Sequence, residues 1–280
     1  MRIVTSVVEM QAVCRELRDD GYVVGFVPTM GALHEGHLSL ARRARMECGV
    51  VVASIFVNPL QFGPGEDFTR YPRTFEEDCR RLESEGVVVL FAPEAGEMYP
   101  AGAVTTVTVA GVGDRLDGAS RPGHFTGVTT VVTKLFHVVG RCRAYFGQKD
   151  AAQVAVLQRM VKDLNFDVEL VVCAIVRDVD GLALSSRNKY LSATERGDAL
   201  VLHRVLRQVE ARIAAGERRS AVLIEEARQV LDGAARVRLD YLAVVDASTL
   251  LPMETTEEGT LVAIAAWVGS TRLIDNFVVG

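Results

Sequence analysis

The stretch Val23-Val24-Gly25-Phe26-Val27-Pro28-Thr29-Met30-Gly31-Ala32-Leu33-His34-Glu35-Gly36-His37 decides the fold. A short apolar run, Val23–Val27, meets a proline, which reads as a buried strand giving way to a loop. From His37 to Cys48 the residues Leu38, Leu40, Ala41 and Ala44 recur at helical spacing. Next comes Val50–Val57, a β-branched run of strand length closed by Asn58-Pro59. Phe75–Glu85 reads as a charged helix stopped by Gly86, and Val87–Phe91 as a strand ended by Pro93. Strand and helix thus alternate over the first ninety residues, the pattern of a parallel sheet covered by helices.

Further along, Val104–Val109 reads as a strand and Val128–Val139 as a helix ended by Gly140. Arg143–Phe146 is a short strand, Asp150 a cap for the helix Ala151–Leu164, and Val168–Val176 one more buried strand. The character then changes. Ala193–Ala215 and Ser220–Gly233 are two amphipathic helices, and Arg238–Asp246 and Leu261–Val268 are strands without a long crossover between them, hence antiparallel. The expected fold class is α/β: a Rossmann-like parallel sheet with flanking helices over residues 1–185, plus a smaller C-terminal α+β domain over 186–280.

Composition narrows the function classes. With 280 residues, 49% hydrophobic and 24% charged, the chain is neither disordered nor fibrous as a whole. A net charge of −5 argues against a protein that grips nucleic acid backbone. No run approaches the about 20 apolar residues that span a bilayer, and Met1 to Met10 lacks a secretory pattern. Five cysteines, with no C-x-x-C pair, read as buried thiols in a reducing, cytoplasmic setting rather than a disulfide framework or zinc site. The basic residues number 31, of which only four are lysines (Lys134, Lys149, Lys162, Lys189). Each lysine position is therefore informative.

Four segments carry chemistry. In Pro28–His37, two histidines flank a glycine where a helix begins. Unpaired N–H groups and the helix dipole favour an anion there, and such donors stabilise charge on a departing pyrophosphate. The competing reading is that the histidines cap the helix or pack. A zinc site is the weaker alternative, because His34 and His37 are three residues apart and no third ligand lies nearby. In Phe56–Gly63, Asn58 and Gln61 suit hydroxyl or carboxylate recognition, although an Asn-Pro turn accounts for Asn58 equally well. In Phe146–Gln153, Lys149 at a strand-to-helix junction is a point charge for phosphate. There Asp150 is a helix cap or a metal ligand, and Gln153 lies on the first turn. In Gly181–Asn188, Ser185, Ser186 and Arg187 form a phosphate-binding set or a capped polar loop. Arg121–Phe125 is a ligand-facing loop or an ordinary Pro-Gly turn. Glu76–Glu85 reads as a solvated helix face, and the charged stretch Glu66–Arg73 as a lid. Walker A, G-x-G-x-x-G and G-x-S-x-G patterns are absent.

Taken in order, Pro28–His37, Phe56–Phe62, Arg121–Phe125, Phe146–Asp150, Ser185–Asn188, Asp240-Tyr241-Leu242 and Val245-Asp246 resemble the pantoate–β-alanine ligase family, within the nucleotidylyltransferase superfamily, over nearly the whole chain. The resemblance implies an ATP-dependent condensation of pantoate with β-alanine through a pantoyl adenylate, releasing pyrophosphate and AMP. It implies ATP binding by Met30, Gly31, Ala32, Leu33, His34, Glu35, Gly36, His37, Gly147, Gln148, Lys149, Asp150, Val176, Leu184, Ser185, Ser186 and Arg187. His37, His34, Lys149, Ser185 and Arg187 are the implied catalytic groups, with His37 as the family's proton donor. Gln61, Gln153 and Asn58 are the implied pantoate and β-alanine contacts. Mg2+ is expected through ATP, with Asp150 its one candidate protein ligand. The expected partners are small-molecule substrates, neither nucleic acid nor membrane, and a second copy in a cytoplasmic homodimer. Ala151-Ala152 departs from the family, which often has Gln or an aromatic there. A related nucleotidyltransferase would share His34, Gly36 and His37 without needing Gln61 and Gln153. A regulatory module that has lost catalysis would lack His37, Lys149 or Arg187, and all three are present.

Overall fold

The computed structural model describes residues 1–280. The elements run β1 (Arg2–Val4), α1 (Val7–Asp19), β2 (Val24–Thr29), α2 (Glu35–Glu47), β3 (Val50–Ile55), α3 (Phe75–Ser84), β4 (Val89–Phe91), α4 (Ala95–Met98), α5 (Asp117–Ser120), α6 (His124–Val139), β5 (Cys142–Gly147), α7 (Ala151–Asp163), β6 (Val168–Cys173), α8 (Ala193–Ala214), α9 (Ser220–Asp232), β7 (Val237–Asp246), β8 (Thr260–Val268) and β9 (Thr271–Val278). The chain divides into one unit of Met1–Gly147 with Val156–Ala174 and another of Gln148–Ala155 with Ile175–Gly280.

In the first unit six parallel strands form one sheet in the order β1-β4-β3-β2-β5-β6. Strands β2, β3 and β4 step one way across it and β5 and β6 the other. The order therefore reverses between β2 and β5, and the carboxyl ends at such a switch point are where ligands bind in open α/β sheets. Buried Val27, Leu40, Ala41, Ala44, Val51, Ala53, Leu82 and Leu90 form a core between this sheet and α2 and α3. Gly25 on β2 brings the strand close to α2: a Cβ there would sit 3.1 Å from the Ala44 Cβ and 3.2 Å from the Cys48 Sγ.

The second unit has the three-stranded antiparallel sheet β7-β8-β9. Leu202, Val205, Leu206 and Val209 of α8 and Leu223 of α9 form one core with Val262 and Ile264 of β8. Helix α8 starts at a capping box, in which Ser192 and Glu195 bond reciprocally.

The class expected from the sequence is the class observed, while several elements differ. Val104–Val109 belongs to no sheet: its backbone is held by side chains of α6, with Thr130 Oγ1 accepting from Val107 N at 2.9 Å and Thr129 Oγ1 donating to Val107 O. The strand expected over 168–176 stops at Cys173. The sequence reading has no counterpart of β1, α1 or β9. After Ala174, where the second unit resumes, residues 176–184 fold back on themselves. Leu184 N donates to Val176 O at 3.0 Å, Asp178 N to Leu182 O at 2.8 Å, and Arg177 binds Asp275 of β9.

Helix α6 packs against the Pro59–Gln61 turn at Gly127, where a Cβ would lie 2.2 Å from the Leu60 carbonyl oxygen and 2.6 Å from Gln61 N. Backbone has no room to yield there. Gly127→Ala is expected to lower unfolding free energy by about 1–3 kcal/mol, as overpacking does, measured by denaturant titration. An unchanged midpoint would show that the turn gives way freely.

Candidate active site

The loop from β2 to α2 turns through a left-handed pair, Gly31 (φ 79°) and Ala32 (φ 50°). A side chain at Gly31 would also be tight, its Cβ 3.1 Å from Asp78 Oδ2 and 3.2 Å from Ile55 Cγ2. The turn is held from beneath by Asp78 of α3, which is 1% exposed. Its Oδ2 accepts from Ala32 N and its Oδ1 from Leu33 N, both at 2.8 Å, and Thr74 Oγ1 donates to Oδ2 at 3.1 Å. Arg81 of the same helix donates to Leu33 O at 2.8 Å. The α3 face expected to be solvated therefore carries a buried carboxylate that shapes the loop. One signal was available: Asp78 is followed four residues later by Leu82, which is also buried.

The loop delivers two histidines to the start of α2. His34 is the N-cap. Its Nδ1 accepts from Gly36 N at 3.2 Å, and His37 Nδ1 accepts from His34 N at 3.3 Å. The rings lie 4.1 Å apart, centroid to centroid. An imidazole that accepts at Nδ1 carries its proton on Nε2, so both rings are set as Nε2–H donors at a helix N-terminus. The capping role expected of these histidines is therefore present. Met30, Gly31, Ala32, Leu33, Glu35 and Gly36 all lie in this loop and first turn, and Gly147 ends β5 across the switch point.

The second cluster of the first unit surrounds Gln61. Asn58 is 1% exposed, and its side chain is occupied by protein: Oδ1 accepts from Tyr99 Oη at 2.8 Å and Leu60 N at 3.3 Å, while Nδ2 donates to Gly127 O at 3.0 Å and to Gln61 Oε1 at 3.1 Å. The Gln61 amide also reaches Met30 Sδ, Nε2 donating at 2.9 Å. Its main-chain oxygen accepts from His124 Nδ1 at 2.8 Å and Arg121 Nη2 at 3.3 Å. Arg121 in turn grips both oxygens of Glu66 at 2.7 Å. The Arg121–Phe125 segment is thus more than a bare turn, and Glu66, expected in a lid, is anchored by Arg121. Burial and the adjoining Arg121 guanidinium hold the His124 imidazole down at about 4. The Glu66 carboxyl, although burial opposes it, sits below its ordinary value because Arg121 binds it.

In the second unit, Gln148–Asp150 form one turn of 3-10 helix leading into α7, which carries Gln153. The Lys149 side chain is mostly covered, and its Nζ lies 3.4 Å from Asp150 Oδ1. Asn276 of β9 donates to the carbonyls of Gln148 and Lys149, a contact 127 residues distant that the sequence does not announce. Val176 and Leu184 pair through their backbones, as above. Ser185 caps the turn Ser186–Tyr190, its Oγ accepting from Arg187 N at 3.3 Å, and Asn188 Nδ2 ties that turn to Ala183 O at 3.0 Å. Ser186 is buried.

A family model described as pantoate-beta-alanine ligase matches residues 2–278. A pantothenate synthetase of Koribacter versatilis is 56% identical over 278 residues, covering 99% of this chain and 96% of that protein. A crystal structure of pantothenate synthetase from Thermus thermophilus superimposes with a TM-score of 0.93 at 48% identity, covering 99% of each chain. That of pantoate-beta-alanine ligase from Francisella tularensis, complexed with beta-gamma ATP and beta-alanine, gives a TM-score of 0.81 at 34% identity, over 99% of this chain and 97% of that one.

Two outcomes are expected. Asp78→Asn turns one acceptor oxygen into an N–H donor facing a backbone N–H, and should lower unfolding free energy by about 1–3 kcal/mol in denaturant titration. An Asp78→Asn protein as stable as the parent would show the loop to be held elsewhere. For His124, the folded ring stays neutral down to about 4, against 6.5 for the free side chain. Its contribution is therefore complete above pH 6.5 and lost as pH falls from 6.5 to 4, because the unfolded chain takes up the proton first. The slope is at most about 1.4 kcal/mol per pH unit. His124→Gln should flatten stability against pH across that window, and equal slopes for variant and parent would contradict this origin.

Proposed function

The chain belongs to the pantoate–β-alanine ligase family, and from that premise we propose how its residues divide the work. It is an ATP-dependent ligase that condenses (R)-pantoate with β-alanine to pantothenate, a step of pantothenate biosynthesis. The pantoate carboxylate attacks the α-phosphorus of ATP and pyrophosphate leaves. The β-alanine amine then attacks the acyl carbon of the pantoyl adenylate, losing a proton as AMP departs. Adenylation is needed because a carboxylate has no leaving group better than oxide.

The observation that supports the residue assignment is the reciprocal His34–His37 cap at the start of α2, the helix that follows β2 beside the switch point of the sheet. Negative charge grows on the α-phosphate and on pyrophosphate during the first step. His34 and His37, together with the N-terminus of α2, stabilise it as fixed donors that need no reorganisation. His37 acts in this way at least as much as by giving up a proton. Met30 to Leu33, Glu35, Gly36 and Gly147 shape the nucleotide's seat. Gln61 hydrogen-bonds pantoate, and Asn58, being buried, serves by holding Gln61. In the second unit, Lys149, Ser185, Ser186 and Arg187 neutralise phosphate, Val176 and Leu184 offer backbone groups to the nucleotide, Gln148 and Asp150 flank Lys149, and Gln153 contacts pantoate. The smaller C-terminal α+β domain, residues 186–280, acts as a lid.

No group of three or more His, Cys, Asp or Glu side chains is placed to hold a metal. Asp150, about half exposed, is a hard oxygen donor of the type magnesium takes. Mg2+ bound to ATP, with Asp150 as its protein ligand, would neutralise charge developing on the phosphates. The enzyme works as a cytoplasmic homodimer; its five free cysteines accord with a reducing compartment.

The test is pyrophosphate release with ATP and magnesium, with and without pantoate. Release that depends on pantoate is expected, followed on adding β-alanine by AMP and pantothenate. A folded protein that binds ATP and shows no pantoate-dependent release would sink the assignment. His37→Gln, which keeps a donor and loses the titrating proton, should retain part of the activity that His37→Ala loses. Removing one such donor typically lowers the rate about 10²–10³-fold.

A further inference from the structure

We propose that Asn276 is a positioning residue that sets Lys149 for phosphate binding; the inference rests on the reading of Lys149 given above. Asn276 lies on β9, 2% exposed, opposite Ala263 of β8. Both N–H groups of its amide are engaged with one short segment: Nδ2 donates to Gln148 O at 3.0 Å and to Lys149 O at 2.9 Å. Its Oδ1 accepts from Gln148 Nε2 at 3.3 Å. The amide has one orientation only, since the flipped form would set Oδ1 against two carbonyl oxygens.

Neither the strand nor the core requires this residue. Asparagine is a poor strand former, and a buried amide is tolerated only when satisfied. An apolar residue opposite Ala263 would serve the sheet better. The gain lies at the other end of the hydrogen bonds. A single 3-10 turn is weakly held by its own bonds, and this one carries the lysine assigned to phosphate. The neighbouring residue repeats the pattern. Asp275, 3% exposed, accepts from Arg177 Nη1 and Nη2 at 2.6 and 2.9 Å and from Asn276 N at 2.8 Å. Two consecutive polar residues of β9 thus hold the segment around Lys149 and the segment beside Val176. Local strand preference is set aside twice in succession, as happens where function rather than folding chooses the residue. A lysine acts as a point charge whose effect depends on where it is held, so loss of the Asn276 hold should appear as loss of the Lys149 contribution.

The experiment is a double-mutant cycle on the full-length enzyme, reading pantoate-dependent pyrophosphate release at saturating pantoate with ATP and magnesium. Asn276→Ala is expected to lower kcat/KM for ATP about 10- to 100-fold, the scale of a misplacement near 1 Å. Asn276→Asp, which keeps the shape and the acceptor but removes both donors, should do the same, and it carries the test if the alanine variant does not fold. Lys149→Ala should be at least as slow, and Lys149→Ala with Asn276→Ala no slower than Lys149→Ala alone, because residues acting as one unit are not additive. A double variant slowed by the product of the two single effects overturns the inference, as does either Asn276 variant at the parent rate. A Lys149→Ala enzyme at the parent rate instead overturns the reading of Lys149, a result the Asn276 variants alone would not produce.

Discussion

A buried carboxylate, Asp78, is the constraint on which the first unit's site depends. The chain must leave β2, pass through two residues of left-handed backbone and arrive at α2 with His34 on the cap. Alanine in that region costs about 1–2 kcal/mol. Hydrogen bonds to a charged group contribute about 1.5–3 kcal/mol each, and Asp78 receives two from the loop backbone and one from Thr74. The bonds outweigh the strain, and the same bonds satisfy a charge that burial would otherwise penalise heavily. Loop geometry and the tolerance of a buried aspartate are two sides of one balance.

The Gln61 region follows the same design with different parts. Asn58 fixes the Gln61 side chain, while His124 and Arg121 fix its main-chain oxygen. Glu66 neutralises Arg121, and Gly127 lets α6 approach the turn closely enough for the whole set to form. Such networks rigidify when fully satisfied and destabilise when broken. The Gln61 amide is thereby presented by a scaffold that has little freedom of its own.

Much of this was legible in the sequence, for identifiable reasons. The strand-to-helix junctions at Pro28 to His37 and Phe146 to Asp150 carry local signals, namely an apolar run, a breaker and a helical period, and the structure has those elements. The parts that were missed depend on contacts distant in the chain. Asp78 looks like any acid on a charged helix until the helix is docked on the β2–α2 loop. Asn276 lies 127 residues from the carbonyl it holds, and no pattern in its own strand points there. Val104–Val109 alternates like a strand, yet threonines of α6 take its backbone bonds, so periodicity alone misled. β9 was announced only by Gly269-Ser270, a two-residue hairpin connection that is easily overlooked beside the longer loop at Pro252.

The histidine pair has a consequence for proton traffic. Each Nδ1 already receives a backbone N–H, so an additional proton on either ring has to displace the bond that starts α2. Charging an imidazole and keeping the helix end intact are competing outcomes. The segment ties side-chain hydrogen bonding to backbone shape: the first turn of α2 is closed by the two rings that it carries.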